Sequence, residues 1–392
     1  MQAHRGAHHA QPSGPWTTAV GATTSAGAPT LQPPPADSQP AGSSAPSAAP
    51  SAASGPFPWT SAWYPVAASQ PVPHTCIKEL MGGPAAEGHV QRTQWFVRDL
   101  PLRYDTLLEN VLDPSHVPFA HHGVQGRREN EKGTETSILD EGVAVGGFAF
   151  RFDSKSARFP PSRVEFRAPI HARYGAGFRA LHVYCVPTRP GWSRLYATFL
   201  QDTRVPVPLP PVINAIFCLV ESIPWLEHIS QRNKVLDGDT YMIHLTERLL
   251  LEQNNAWRTS YFMPAAADAS VVATRRWLDE FGGAVPTCEP CTPMPPQMSK
   301  ADALDRYSQH TAGCRHCKKA LKNVEAATVV AAACGALAAL WLVARAVAGL
   351  PLLAPASGMA LLAMAACGGA VAFLRALRAQ FFYVEYVHAH AK

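Results

Sequence analysis

Between residues 89 and 283 the apolar and polar positions follow two rhythms. Residues 143–152, 163–169, 178–187 and 193–202 are β-rich or alternate with a period of two, which predicts strands of an antiparallel sheet. Residues 103–112 read as a helix, and residues 239–252 and 267–281 also carry the helical period. In the last of these Val271, Val272, Trp277, Leu278 and Phe281 share one broad face, which leaves Arg275, Arg276 and Asp279 to solvent. Strands grouped together, with helices packed at their edges, describe an α+β domain.

Beyond residue 283 both rhythms are lost. A Pro- and Cys-rich connector, residues 284–297, leads to a polar helix over 300–322, so that 284–325 reads as a linker. Residues 326–344 then hold 19 uncharged positions and residues 346–374 hold 29, the second run broken near its start by Gly349, Pro351, Pro355 and Gly358. A bilayer core takes about 20 apolar residues per helix, so 326–374 is predicted to be a two-helix transmembrane hairpin. Lys318, Lys319 and Lys322 precede the first run, and Arg375 and Arg378 follow the second. Basic flanks on one side are what a hairpin requires, and they put the domain and the C-terminal tail, 375–392, on the same face.

Composition sharpens the division. The chain of 392 residues is 47% hydrophobic and 16% charged, yet residues 1–58 hold only Arg5 and Asp37 as charged side chains, beside eleven prolines and long Ala, Ser and Gly runs. Such a stretch buries too little to offset its ordering entropy and is expected to be disordered. Few acids and abundant Ser and Thr suit an organelle transit peptide, and also a plain low-complexity tail. The net charge of +5 is modest and not gathered into blocks, which gives no support to a nucleic-acid binder. Nine cysteines, scattered apart from two CxxC pairs, are not the even framework of a secreted disulfide fold.

The densest chemistry lies at residues 109–123, where Asn110, Asp113, His116 and His121 are interleaved with Pro114 and Pro118. Two histidines five apart diverge by about 140° on a regular helix, so they share a metal only if the helix breaks. Pro118 is expected to supply the break: it disfavours helical backbone at Val117, ends the helix just past His116 and lets the chain fold back to bring His121 alongside. Two neutral imidazoles and one distant carboxylate make the facial triad of non-haem Fe(II) oxygenases, which leaves positions open for dioxygen and substrate.

The pattern Asn-x-x-Asp-x-x-His-x-x-x-x-His, here Asn110, Asp113, His116 and His121, resembles the mononuclear iron site of Rieske-type oxygenases. Its wider Glu-Asn-x-x-Asp-Pro-Ser-His-x-Pro-x-Ala-His setting resembles the pheophorbide a oxygenase group of that family. The likeness runs from about residue 90 to 392, through Trp277, Leu278 and Gly282, then Asp305, Arg306, Tyr307, His310, Thr311, Cys314 and Cys317, and into the apolar hairpin. It implies a helix-grip-like catalytic domain over 89–283 that binds one Fe(II) through His116 and His121. It also implies an oxygenase that uses dioxygen on a chlorophyll-derived tetrapyrrole. A third ligand is expected in a paired Asp-x-Asp at the start of a helix, where Asp239 fits, with Asp237 as the alternative. Either acid also suits a helix N-cap. Asn110 and Asp113 are expected to serve the reaction, Asp113 as the acid that orients His116 or His121 and passes electrons in from a neighbouring subunit's cluster.

The same resemblance implies redox control at Cys314 and Cys317, with thioredoxin as partner. A CxxC is also half a zinc site, and Cys288 and Cys291 could supply the other half. The family's 2Fe-2S cluster is held by Cys-x-His followed by Cys-x-x-His, and neither half precedes His116. Cys314-Arg315-His316 fits the first half in letters alone, with no second half after it. Residues 57–66 resemble the first Rieske strand, so 59–88 reads as a remnant of that domain. Electrons are then expected from a ferredoxin or a Rieske-containing partner subunit, in a homo- or hetero-trimer at a chloroplast membrane, thylakoid or inner envelope. The alternative is a non-catalytic, Rieske-less paralogue that binds pigment or regulates full-length oxygenase subunits.

Overall fold

The computed structural model describes residues 87–155, 162–175, 177–207, 210–282, 294–351 and 354–387. The expected disordered leader, the Rieske-like fragment as far as residue 86, and the pair Cys288 and Cys291 lie outside the described residues.

Eight strands among the described residues form one antiparallel sheet: β1 (His89–Gln91), β2 (Phe96–Leu100), β3 (Thr134–Ile138), β4 (Gly147–Ser154), β5 (Ser162–Arg167), β6 (His171–Gly175), β7 (Arg179–Arg189) and β8 (Trp192–Asp202). From β3 to β8 each strand pairs with the next in sequence. β1 and β2 lie one after the other along the free edge of β8, with His89 opposite Asp202 and Phe96 opposite Ala197. β4, β5, β7 and β8 occupy the segments that the alternation predicts. Thr134–Ile138 and His171–Gly175 are too short and polar to show a period, and they owe their strand form to pairing with β4, β5 and β7.

The helices among the described residues are α1 (Tyr104–Val111), α2 (Val117–Ala120), α3 (Pro211–Ser222), α4 (Pro224–Glu227), α5 (Asn233–Glu252), α6 (Trp257–Ser260), α7 (Ala269–Glu280), α8 (Lys300–Ala303), α9 (Arg315–Val347) and α10 (Pro355–Ala379). α1 presents Tyr104, Leu107 and Leu108 at helical spacing to Phe148, Phe150, Val164 and Phe166 of the sheet. α7 adds Trp277, whose indole N–H donates to the Val145 carbonyl at 3.2 Å. Each of these large side chains stabilises the fold by about 1.5–3 kcal/mol on burial, and together they fix the end of α1 from which the candidate site hangs. Arg276 and Asp279 are exposed as expected, but Arg275 is buried. It reaches Asp105 at 3.0 Å and also pairs with Glu109, so charge as well as packing holds α7 to α1.

α9 and α10 are each long and apolar enough to cross a membrane. They pack closely where Gly335 faces Cys367, and Arg378 meets Glu325 at 2.9 Å near the base of the pair. The polar helix expected over 300–322 is broken into α8, a π-helical turn at Tyr307–Thr311 and the first turns of α9. This segment packs onto the domain: Arg306, His310 and Thr311 are buried, and Cys317, Leu321 and Val324 share a cluster with Ile229 and Phe381.

Candidate metal centre

α1 stops at Val111, and Asp113 takes extended backbone, φ −102° and ψ 97°. Its carboxylate accepts from the Ser115 amide at 2.9 Å and from the Ser115 hydroxyl at 2.5 Å. One 3-10 turn, Pro114–His116, leads straight into α2. Pro118 is therefore not the breaker. It sits in the first turn of α2, where a missing N–H leaves nothing unpaired, and Val117 is helical at φ −53° and ψ −48°. The break falls at Asp113, where the following Pro114 disfavours helical backbone. His116 and His121 thus flank a single short helix, and their Nε2 atoms lie 3.1 Å apart.

Asp239 reaches the same point from α5. Its Oδ1 lies 3.7 Å from His116 Nε2 and its Oδ2 lies 3.4 Å from His121 Nε2. Asn110 donates from Nδ2 to Asp239 Oδ2 at 3.0 Å, and Asp113 Oδ2 lies 3.7 Å from His116 Nδ1. An ion about 2.1 Å from two nitrogens, with ligands at right angles, would hold them about 3 Å apart. The two imidazoles and the carboxylate fit that requirement. Asp237 is otherwise engaged: its buried carboxylate lies 2.7 Å from Arg98 and 2.7 Å from Arg306. Neither acid is an N-cap, because the chain is already helical from Pro224 through a π-helical turn at His228–Arg232 and both lie inside the run.

Three residues that pattern reading passes over shape the site. Gly238 lets α5 approach α2: a Cβ there would sit 2.6 Å from the Ala120 carbonyl oxygen and 3.1 Å from His121 Nδ1. Tyr386, beyond the hairpin, donates its hydroxyl to that same carbonyl. Tyr174 of β6 donates to the Val111 carbonyl at 2.5 Å and ties the end of α1 to the sheet. A cluster of aromatics after the second apolar run, Phe381, Phe382, Tyr383 and Tyr386, was the sequence signal for a tail that docks.

The electrostatics of the metal-free site favour a cation. Burial alone would lower His116, but the Asp239 charge and the hydrogen bond to Asp113 override it and raise the imidazole to about 9. Burial likewise opposes ionisation of Asp113, whose carboxyl is nonetheless held below its usual range by His116 and Ser115. A bound metal would displace the proton from His116, as ligation by neutral imidazole requires. Cys314 and Cys317 form a separate group: both are free thiols, gathered with His228 and His310.

Residues 150–257 match the family model of pheophorbide a oxygenase. Flavonoid 8-hydroxylase 2 of Ocimum basilicum is 32% identical over 254 residues, 58% of this chain and 46% of that protein. Pheophorbide a oxygenase of Oryza sativa subsp. japonica is 31% identical over 319 residues, 74% of this chain and 56% of that protein. The protochlorophyllide-dependent translocon component 52 of Arabidopsis thaliana is 29% identical over 283 residues, 59% of this chain and 48% of that protein. The chain spans about half the length of the curated relatives it matches. Among solved structures, the terminal oxygenase of carbazole 1,9a-dioxygenase from Nocardioides aromaticivorans aligns with 13% identity and a TM-score of 0.35, covering 51% of this chain and 60% of that one. The matched stretch runs from β4 through α5, which carries Asp239, and the curated relatives match over longer stretches than the family model does: over this part the chain is similar to the pheophorbide a oxygenase family of chloroplast proteins.

Proposed function

We propose that this chain is the mononuclear iron part of a plastid membrane oxygenase that acts on a chlorophyll-derived tetrapyrrole. The observation that carries this reading is the convergence of His116, His121 and Asp239, whose ligand atoms all lie within 4.8 Å of one another. Bound there, iron would supply dioxygen binding and activation once electrons arrive. The chain's own residues do the rest. Asn110 holds one oxygen of Asp239, and Asp113, fixed by Ser115, steadies His116 through its Nδ1 side so that Nε2 is kept for the metal. Trp277 and the aromatic residues of β4 and β5 hold α1 against the sheet.

Two apolar helices suit a membrane in which such pigments partition, and the relatives' chloroplast address supports a plastid location. Electrons would come from a Rieske 2Fe-2S centre or a ferredoxin outside the described residues, delivered between subunits where the oxygenase is a trimer. A flavonoid is the second substrate reading, favoured by the 32% identity to a flavonoid hydroxylase.

The test is iron content of the full chain in detergent, compared with His116→Ala and Asp239→Ala, followed by dioxygen uptake with a reduced Rieske-type donor and either pheophorbide or a flavonoid. Iron lost from both variants and uptake driven by pheophorbide support the proposal. A wild type that takes up no ferrous iron refutes it, and iron without turnover points to the regulatory paralogue.

A further inference from the structure

His228, His310, Cys314 and Cys317 place one ligand atom each within 4.8 Å of all the others. His228 Nδ1 lies 3.1 Å from His310 Nε2, 3.4 Å from Cys317 Sγ and 3.7 Å from Cys314 Sγ, and His310 Nε2 lies 3.3 Å from Cys317 Sγ. Tetrahedral zinc with its usual bond lengths would set these edges at about 3.3 Å between nitrogens and about 3.6 Å between nitrogen and sulfur. A two-iron cluster would hold the sulfurs on one iron and the imidazoles on the other, parting the pairs that here are in contact. From this juxtaposition we infer that the chain carries a second, structural metal site, a Cys2His2 zinc centre at the base of the membrane hairpin.

The surroundings fix the His310 imidazole in the tautomer that ligation needs and suit the matching tautomer of His228. His310 Nδ1 lies 2.6 Å from the Val97 carbonyl of β2, so Nδ1 carries the proton and Nε2 offers a lone pair. On His228 the other nitrogen, Nε2, lies 3.9 Å from Glu227 Oε2, and both atoms are buried without a hydrogen-bond partner. A proton on Nε2 would serve that carboxylate and leave the Nδ1 lone pair aimed at the His310 lone pair, an arrangement that needs a cation between them. Two thiolates and one Zn²⁺ are neutral together, which suits a site where Cys317 is fully buried. Both histidines also sit in π-helical turns, His228–Arg232 and Tyr307–Thr311, which occur often at functional positions.

The ion would join three parts of the chain: the turn that leads into α5 and so to Asp239, the buried segment before the hairpin, and the first turn of α9. It does not depend on the iron reading, because it shares no ligand with it.

The test uses the full chain purified in detergent under reducing conditions. Elemental analysis should find about one zinc per chain, retained in Asp239→Ala and lost from His228→Ala and Cys317→Ser. Cobalt exchange of the wild type gives a second readout that does not depend on the folding of the two variants: tetrahedral d–d bands and a thiolate charge-transfer band. Cys314 and Cys317 should also resist alkylation until a chelator is added, while Cys218 reacts throughout. A wild type that takes up neither zinc nor cobalt overturns the proposal. So does a Cys314–Cys317 disulfide in the native protein, which would restore the thioredoxin switch, or zinc that survives both ligand substitutions.

Discussion

Asn110 donates to Asp239 across 3.0 Å, so the last turn of α1 sets the carboxylate that α5 brings to the two histidines. Asn110→Ala removes that donor without touching a ligand. Outer partners of this kind are worth about 10–100-fold in metal affinity, and Asn110→Ala is expected to lose iron by that factor in competition with a graded chelator. The melting temperature should hardly move, since a single part-exposed hydrogen bond contributes only about 1 kcal/mol.

Gly238→Ala sets two effects against each other. Alanine favours a helix over glycine by about 0.8–1.0 kcal/mol. The new methyl, however, would lie 2.6 Å from the Ala120 carbonyl, a backbone atom next to the proposed ligand His121. Overpacking costs about 1–3 kcal/mol, so the clash wins: a lower melting temperature and reduced iron content are expected. Gly358→Ala, with nothing within 4 Å of its Cβ position, is the control and should show neither.

The division of the site between what the residues announce and what they hide follows from sequence distance. Asn110, Asp113, His116 and His121 lie within twelve consecutive residues, and their spacing is itself the signal. The proposed carboxylate ligand is half legible: the pair Asp237 and Asp239 stands out, but which acid is left to face the two histidines depends on Arg98 and Arg306, whose positions need the fold. Tyr386 reaches Ala120 from the far end of the chain. His228 and His310 are unremarkable histidines until β2 and α9 gather them, which is why a partner for the CxxC pair was sought at Cys288 and Cys291. In the sheet, strands with a buried apolar face are visible, whereas β3 and β6 exist because neighbours pair with them.

Glu247 of α5 gives a pH dependence. Burial raises its carboxyl from 4.5 to about 7 despite hydrogen bonds from Thr106 and the Arg103 amide. Between those values the folded chain keeps a proton that the unfolded chain has released, so stability falls as pH rises through this window and levels off above it. The full difference is about 3 kcal/mol. Glu247→Gln mimics the protonated acid, and thermal unfolding in detergent should show it matching the wild type near pH 5 and exceeding it at pH 8. Equal curves for the two proteins across that range would refute the shift.

Asp237 and Asp239 are separated by one residue and should fail in opposite ways. Asp237 neutralises Arg98 and Arg306, all three buried. Asp237→Ala leaves two guanidiniums in the interior without their counter-charge, a loss of about 3–5 kcal/mol and on the order of 10 °C in melting temperature. The protein that does fold should still bind iron, because His116, His121 and Asp239 are intact. Asp239→Ala should do the reverse: without the Asp239 charge that raises it, His116 can release its proton, an escape that Arg98 and Arg306 lack, so near-normal melting of the metal-free protein and no iron are expected. Elemental analysis and melting of both variants side by side separate the roles. A stable, iron-free Asp237→Ala would transfer the ligand assignment to Asp237.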